Sequence, residues 1–215
     1  MSQDILGVQP TKIVGIGSNY RAHIEEMGRA IPKVPKVFLK PTSALIGPGE
    51  PIRLPPGTER VDHEAELGVV IGRKMTRISA TDALDYVAGY TCVNDVTARD
   101  FQRMDGVFAR AKGFDTFCPV GPVLATDIDP NDLRVRAWVD GELRQDGRTS
   151  DMIFDVPRLL EFVSSIMTLF PGDILSTGTP SGVGPLTDGQ TVVVEVEGIG
   201  RLENPVVDRE DRRAG

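Results

Sequence analysis

The chain has 215 residues, with 24 Lys and Arg against 31 Asp and Glu and a net charge of −7. That length, with 40% hydrophobic residues, supports a full hydrophobic core, and one globular domain over 1–215 is expected. The acidic balance argues against nucleic acid or an anionic membrane surface as partner, because their phosphates would be repelled.

The first ten residues, MSQDILGVQP, have neither the basic start nor the apolar stretch of a secretory signal. No apolar run approaches the roughly 20 residues that span a bilayer. Cys92 and Cys118 are the only cysteines, too few for a disulfide framework, so reduced thiols and a cytoplasmic location are expected.

KIVGIG (12–17) reads as a strand. NYRAHIEEMGRA (19–30) reads as a short helix capped by Ser18 or Asn19, with Gly28 near its end. KVFLKP (36–41) is a strand stopped by Pro41, and GPGEPIRLPPGTE is a Pro/Gly loop. ELGVVIG (66–72) is a strand. SATDALDYV carries a capping box, Ser79 to Asp82, and predicts a short helix before the strand AGYTCVND. TARDFQRMDG predicts another short helix or turn. LRVRAWVDGELRQDG alternates Leu133, Val135, Ala137 and Val139 against Arg134, Arg136 and Trp138, with Asp140-Gly141 as a hairpin turn. DVPRLLEFVSSIMTLF (155–170) predicts the longest helix, capped by Asp155. ILSTG and QTVVVEVEGIGRLENPVV add strands, and the polar 208–215 reads as a tail. Strands outnumber long helices and do not alternate regularly with them, so the fold class is β-rich α+β.

Side chains two apart on a strand share a face, so Glu64 and Glu66 are neighbours, with Asp62 extending the row. Paired carboxylates repel, so one takes a proton or a cation sits between them. Oxygen donors alone suit Mg²⁺ or Mn²⁺. Asp95, ending a second apolar strand, completes a candidate triad, although E-x-E also occurs at solvated strand ends. His63 has the opposite parity and points away. His23 and Glu26, at i and i+3 on one helix, read either as a surface ion pair or as a general base with its orienting carboxylate. TGTPSGVGP (177–185) reads as a tight turn or as a loop offering N–H groups to an oxyanion. Arg99, Asp100 and Gln102, and Arg110 and Lys112, supply polar and basic groups that could hold a carboxylate substrate.

Together these segments resemble the fumarylacetoacetate hydrolase family, in its short branch of acylpyruvate hydrolases and oxaloacetate decarboxylases. The likeness covers about residues 12–207 and rests on motifs in family order: GSNYRAHIEEMG, FLKP, HEAELGVVIG, DYVAGYTCVNDVTARDFQ, AKGFDTFCPVGP, GELRQDG, DMIF and GDILSTGTPSGVGP. The resemblance implies a mixed β-roll, a homodimer, and Mg²⁺ or Mn²⁺ held by Glu64, Glu66 and Asp95. It implies His23 and Glu26 as a water-activating dyad on a lid, Lys112 as the active-site lysine, and Arg99, Gln102 and Thr179 in the substrate pocket, with Lys40 as a further pocket candidate.

The function so implied is cleavage of a C–C bond in a small 2-oxo acid through its enolate. Acylpyruvate hydrolysis to pyruvate and a carboxylic acid is the first expectation. Oxaloacetate decarboxylation, or decarboxylation or isomerisation of unsaturated 2-oxo diacids from aromatic catabolism, are the alternatives within the family. A catalytically silent binder of a metal or an oxo acid is the reading from a different class.

Overall fold

The computed structural model describes residues 7, 9–26, 28 and 30–208. The first elements are strand β1 (Ile13–Gly17), helix α1 (Arg21–Glu26), β2 (Lys36–Lys40), β3 (Leu45–Ile46), β4 (Ile52–Leu54), β5 (Val61–His63) and β6 (Ala65–Ile71). There follow β7 (Val87–Asn94), β8 (Thr97–Ala98), α2 (Arg99–Asp105), α3 (Ala109–Lys112) and β9 (Cys118–Ala125). The chain continues through β10 (Arg134–Val139), β11 (Glu142–Arg148), α4 (Val156–Ile166), β12 (Ile174–Ser176), β13 (Gly184–Leu186), β14 (Thr191–Val196) and β15 (Gly200–Asp208).

The strands form a mixed β-roll of three sheets. Their orders are β2-β1-β12-β6-β7-β9-β3, β11-β10-β14-β15-β4 and β13-β5-β8. Parallel pairs β1·β12, β3·β9 and β4·β15 sit among antiparallel neighbours. Strand β6 is buried along its whole length. Its odd residues Ala65, Leu67, Val69 and Ile71 pack in the main core with Val135 and Ala137 of β10, Val194 of β14, and Leu159, Leu160 and Val163 of α4. Val70, of the other parity, packs with Ile13, Val93, Cys118 and Ile174 in a separate cluster. Burial on both faces explains why β6 reads as a continuous apolar run rather than an alternation.

The 133–148 hairpin forms as its pattern predicts. Val135, Ala137 and Val139 are buried, and Asp140 and Gly141 both take positive φ in the turn. Helix α4 is capped by the Asp155 side chain, which accepts from the Arg158 N–H. It ends at Ile166 rather than at 170, because Leu169 leaves it to pair with Met75. The Pro/Gly segment 47–59 is not all loop. Ile52, fully buried, pairs Ile52–Leu54 onto the last strand in a register that local sequence could not reveal. The helix expected at SATDALDYV is reduced to a single 3-10 turn at Ala83–Tyr86. The Ser79 hydroxyl spends its hydrogen bond on the Asp82 carboxylate, and β7 begins directly after the turn. Helix α1 spans 21–26; Met27 and Arg29, at the end of the expected helix, lie outside the described residues. Asp208 belongs to β15 rather than to a tail, and 209–215 lie outside the described residues. Both cysteines are free and buried, and no described helix is long and apolar enough to cross a membrane.

Asp173, buried at the mouth of β12, ties the start of β1 to this scaffold. Its carboxylate accepts from the Thr11 N–H (2.8 Å) and hydroxyl (2.7 Å), from the Lys12 N–H (3.1 Å) and ammonium (2.5 Å), and from the Phe170 N–H (2.9 Å). Burial alone would raise its pKa, but Lys12, the Phe170 amide and Thr11 outweigh it and hold the carboxyl below its ordinary value. A depressed folded pKa adds stability above the unfolded value of about 3.9, and that stability is lost as pH falls through the folded value. Asp173→Asn is therefore expected to cost about 1.5–3 kcal/mol at pH 7. In urea unfolding, the gap to wild type should narrow towards pH 3; a gap independent of pH would contradict the charge-based account.

Candidate active site

Residue 64 is the joint between two sheets: β5 ends at His63 and β6 begins at Ala65. The bend is pinned on both sides. The Asn94 side-chain oxygen accepts from the Glu64 N–H (2.9 Å), and the Asp95 N–H donates to the Glu64 carbonyl (2.9 Å). The ends of β6 and β7 are thereby locked together, and carboxylate oxygens of Glu64, Glu66 and Asp95 lie within 4.8 Å of one another, all buried.

At an effective dielectric of about 20, two like charges 4 Å apart repel by roughly 4 kcal/mol, so such a cluster survives only with compensation. Three buried cations provide it. The Lys112 ammonium donates to Glu64 (2.9 Å), Asp95 (2.5 Å) and the Thr97 hydroxyl (2.8 Å). Lys40 donates to Asp95 and to the Val96 carbonyl. Arg99 donates from Nη2 to Glu64 (2.5 Å), from Nε to Asp62 (2.7 Å) and from Nη1 to Gln102 (3.1 Å). Burial would raise the Glu64 carboxyl, but Lys112 and Arg99 hold it far below its usual range.

Glu66 is the exception. It accepts from the Ser176 hydroxyl (2.5 Å) and the Gly178 N–H (2.8 Å), both neutral, and burial beside Asp95 and Glu64 pushes its carboxyl well up. Lys40, Arg99 and Lys112 thus pair with Glu64 and Asp95, and Asp62 is held by Arg60 and Arg99, whereas Glu66 has neutral donors alone. One hard-oxygen carboxylate remains without a cationic partner among the described residues, beside two more. This donor set fits a Mg²⁺- or Mn²⁺-type ion.

A cavity of about 30 Å³ opens on Glu64 and Glu66 and is walled by His23, Arg99, Gln102, Phe108, Lys112 and Thr179, with Ile16, Gly17 and Ser18. Helix α1 brings in His23, which is buried, and burial lowers its pKa so that the imidazole stays neutral. Its Nδ1 lies 3.5 Å from the Glu26 carboxylate, without hydrogen-bond alignment. Glu26 instead accepts from the Gly182 N–H (3.3 Å), which ties α1 to the 177–185 loop. That loop turns its donors inward. Gly178, at φ +100°, aims its N–H at Glu66, and the Thr179 hydroxyl donates to the Ala65 carbonyl (2.8 Å). It therefore orients a carboxylate of the chain, where an oxyanion of a ligand was one expectation.

Several other expectations are corrected. Asp62 does not extend the carboxylate row; Arg60 and Arg99 grip it from either side. Lys40 does not line the cavity and is almost fully buried against Asp95, so its surroundings are those of a group that positions a carboxylate. Arg110 is exposed, paired with Asp105 and stacked on Phe101, and Asp100 holds Thr58 and the Glu59 N–H; both lie away from the cavity. His63 stands outside the carboxylate cluster and is buried, with Nδ1 at 3.0 Å from Gln145. Sequence reasoning passed over Ser176, Asn94, Phe108 and Gln145. Ser176 carried the same signal as Asp95, a polar residue ending an apolar strand. Phe38, Phe108 and Lys112 stack because Gly15 lacks a side chain; a Cβ there would stand 2.2 Å from the Phe38 ring.

The family model for the C-terminal domain of fumarylacetoacetate (FAA) hydrolase matches residues 12–207. The chain is 45% identical over 201 residues to a mitochondrial oxaloacetate tautomerase of Arabidopsis thaliana, covering 91% of this chain and 90% of that protein. It superposes on a 5-carboxymethyl-2-hydroxymuconate delta-isomerase of Mycobacterium smegmatis with a TM-score of 0.91 at 51% identity, covering 96% of this chain and 82% of that one. It superposes on a fumarylpyruvate hydrolase of Pseudomonas aeruginosa, solved with Mn²⁺ and pyruvate, with a TM-score of 0.88 at 30% identity, covering 94% and 91%.

Removing Lys40 would leave Asp95 short of a cation in a buried site. Lys40→Met is expected to destabilise the chelator-treated protein by about 3 kcal/mol or more. Added Mn²⁺ should then raise its melting temperature by more than it raises that of wild type, since an ion bound to the native state stabilises it. An equal rise in both proteins would show that Lys40 does not share Asp95 with the ion.

Proposed function

The chain belongs to the fumarylacetoacetate hydrolase family, and from that premise we propose that it cleaves a C–C bond in a small 2-oxo acid, hydrolysing acylpyruvates to pyruvate and a carboxylic acid. The observation that carries this reading is a neutral, buried imidazole on the same cavity as the buried carboxylate cluster.

Glu64, Glu66 and Asp95 would hold a Mg²⁺ or Mn²⁺ ion, which when bound supplies Lewis acidity towards the 2-oxo acid group of the substrate. His23 takes a proton from water, and the water oxygen adds to the distal carbonyl. Gln102 is turned for this step: its carbonyl oxygen accepts from Arg99, which leaves its NH₂ group to donate to the developing oxyanion. Arg99 keeps two N–H groups beyond its three bonds to Asp62, Gln102 and Glu64, available to the substrate carboxylate. The C3–C4 bond breaks, its electron pair remains on the three-carbon fragment as the pyruvate enolate, and the proton that His23 took from water passes to C3 to complete pyruvate. The other fragment leaves as the carboxylic acid. Lys112 already spends three donors on Glu64, Asp95 and Thr97, so its first task is to hold the carboxylates ionised and in place.

A second reading is favoured by the tautomerase and isomerase names of the relatives at 45% and 51% identity. The same base would move a proton between C3 and solvent without water attack, interconverting keto and enol forms or shifting a double bond. His23, on α1, walls this cavity, so on either reading a movement of α1 would widen it for substrate.

The discriminating assay follows acetylpyruvate cleavage and oxaloacetate keto–enol exchange side by side, after chelation and with Mg²⁺ or Mn²⁺ restored. Metal-dependent release of pyruvate and acetate is expected; exchange without cleavage would transfer the function to the second reading. His23→Ala should lower kcat for cleavage by about 10²–10⁴-fold while Mn²⁺ affinity is retained. Because burial lowers the His23 pKa, the base form persists below the ordinary value of about 6.5, and the acid limb of kcat/KM should fall below that pH. An acid limb above 6.5 would exclude His23 as the base.

A further inference from the structure

Gln145, on β11, belongs to a different sheet from β6, which carries Glu66, yet its side chain is fully buried and reaches the backbone between Glu64 and Glu66. Its carbonyl oxygen accepts from the Ala65 N–H (2.9 Å) and lies 3.0 Å from His63 Nδ1. Its NH₂ group donates to the Thr179 hydroxyl (2.7 Å) and to the Pro180 carbonyl (2.8 Å). All four hydrogen-bonding positions of the amide are used. The orientation of the amide is set by the backbone itself, because Ala65 presents an N–H on one side and Pro180 a carbonyl on the other. His63 Nδ1 must then carry the hydrogen it shares with Gln145.

Ala65 is the residue between Glu64 and Glu66. Its N–H is held by Gln145, and its carbonyl is held by Thr179, whose hydroxyl is in turn held by Gln145. The stretch bearing both carboxylates is thus clamped on each edge by one side chain. The adjoining Gly178 N–H, in the same loop, completes the grip on Glu66.

We propose that Gln145 is a positioning residue that sets the spacing of Glu64 and Glu66 for a divalent cation and fixes the Thr179 loop against them. The inference rests on the metal reading of that cluster. Outer groups that orient ligands commonly alter metal affinity by 10–100-fold, and Gln145 acts here on the ligand-bearing backbone rather than on a ligand side chain.

The test is Mn²⁺ binding by isothermal titration calorimetry on the full chain, after chelation. Gln145→Met keeps the length of the side chain and removes all four hydrogen bonds; it is expected to weaken Mn²⁺ binding at least tenfold. Gln145→Glu keeps the acceptor for the Ala65 N–H and loses the donors, so its affinity should lie between Gln145→Met and wild type. Thr179→Val removes the hydroxyl that holds the Ala65 carbonyl and should weaken binding in the same direction, which preserves the test if Gln145→Met does not fold. Circular dichroism of each metal-free variant establishes that it is folded. Mn²⁺ affinity within twofold of wild type in folded Gln145→Met, or in both other variants, would overturn the proposal. Absence of Mn²⁺ binding by wild type would instead overturn the metal reading on which it rests.

Discussion

Three carboxylates buried within 4.8 Å of one another are the constraint around which the site is built. Ionised and uncompensated, they would repel by several kcal/mol and unfold the ends of the strands that carry them. Lys40, Lys112 and Arg99 balance that repulsion, each placed by a different element: β2, α3 and α2. The balance is incomplete at Glu66, which receives only neutral donors. A cluster of hard oxygen donors, one of which no cation among the described residues reaches directly, suits a divalent ion.

The fold serves this cluster by holding its backbone rigid. Strand β6 is buried on both faces, β7 pairs along its length, and the Glu64 joint is tied to Asn94 and Asp95. Rigidity of this kind keeps charged groups from relaxing away from one another, which is the condition for preorganised electrostatics. Helix α1 is six residues long and reaches the 177–185 loop through Glu26 and Gly182. The acidic floor and the imidazole that faces it are thus supplied by separate elements of the fold.

Much of this was legible in the sequence because it is written in local patterns. Apolar runs ending in acids located β6 and β7 and their carboxylates, the Asp-Gly turn located the hairpin, and the spacing of His23 and Glu26 placed both on one helix. Where local patterns failed, a distant partner had decided the outcome. Ile52–Leu54 is a strand only because the last strand lies beside it, and Leu169 leaves its helix for Met75. Asp62 has the parity of the other acids and joins none of them, because Arg99 and Arg60 reach it first.

The sequence by itself determined the β-rich class and the buried faces of its main strands, since periodicity is a local property, and the ordered motifs of the family singled out His23 and Lys112 from the other polar residues. Only the tertiary structure decided how their charges pair. Which carboxylate lacks a cation, and why Lys40 serves Asp95 while Arg110 serves nothing in the cavity, depend on distances between elements far apart in the chain. The same holds for Gln145, an unremarkable polar residue in a hairpin strand until the sheets close and set its amide between Ala65 and Pro180. Hydrogen bonds and ion pairs act over a few ångströms, and the chain brings those ångströms about only by folding.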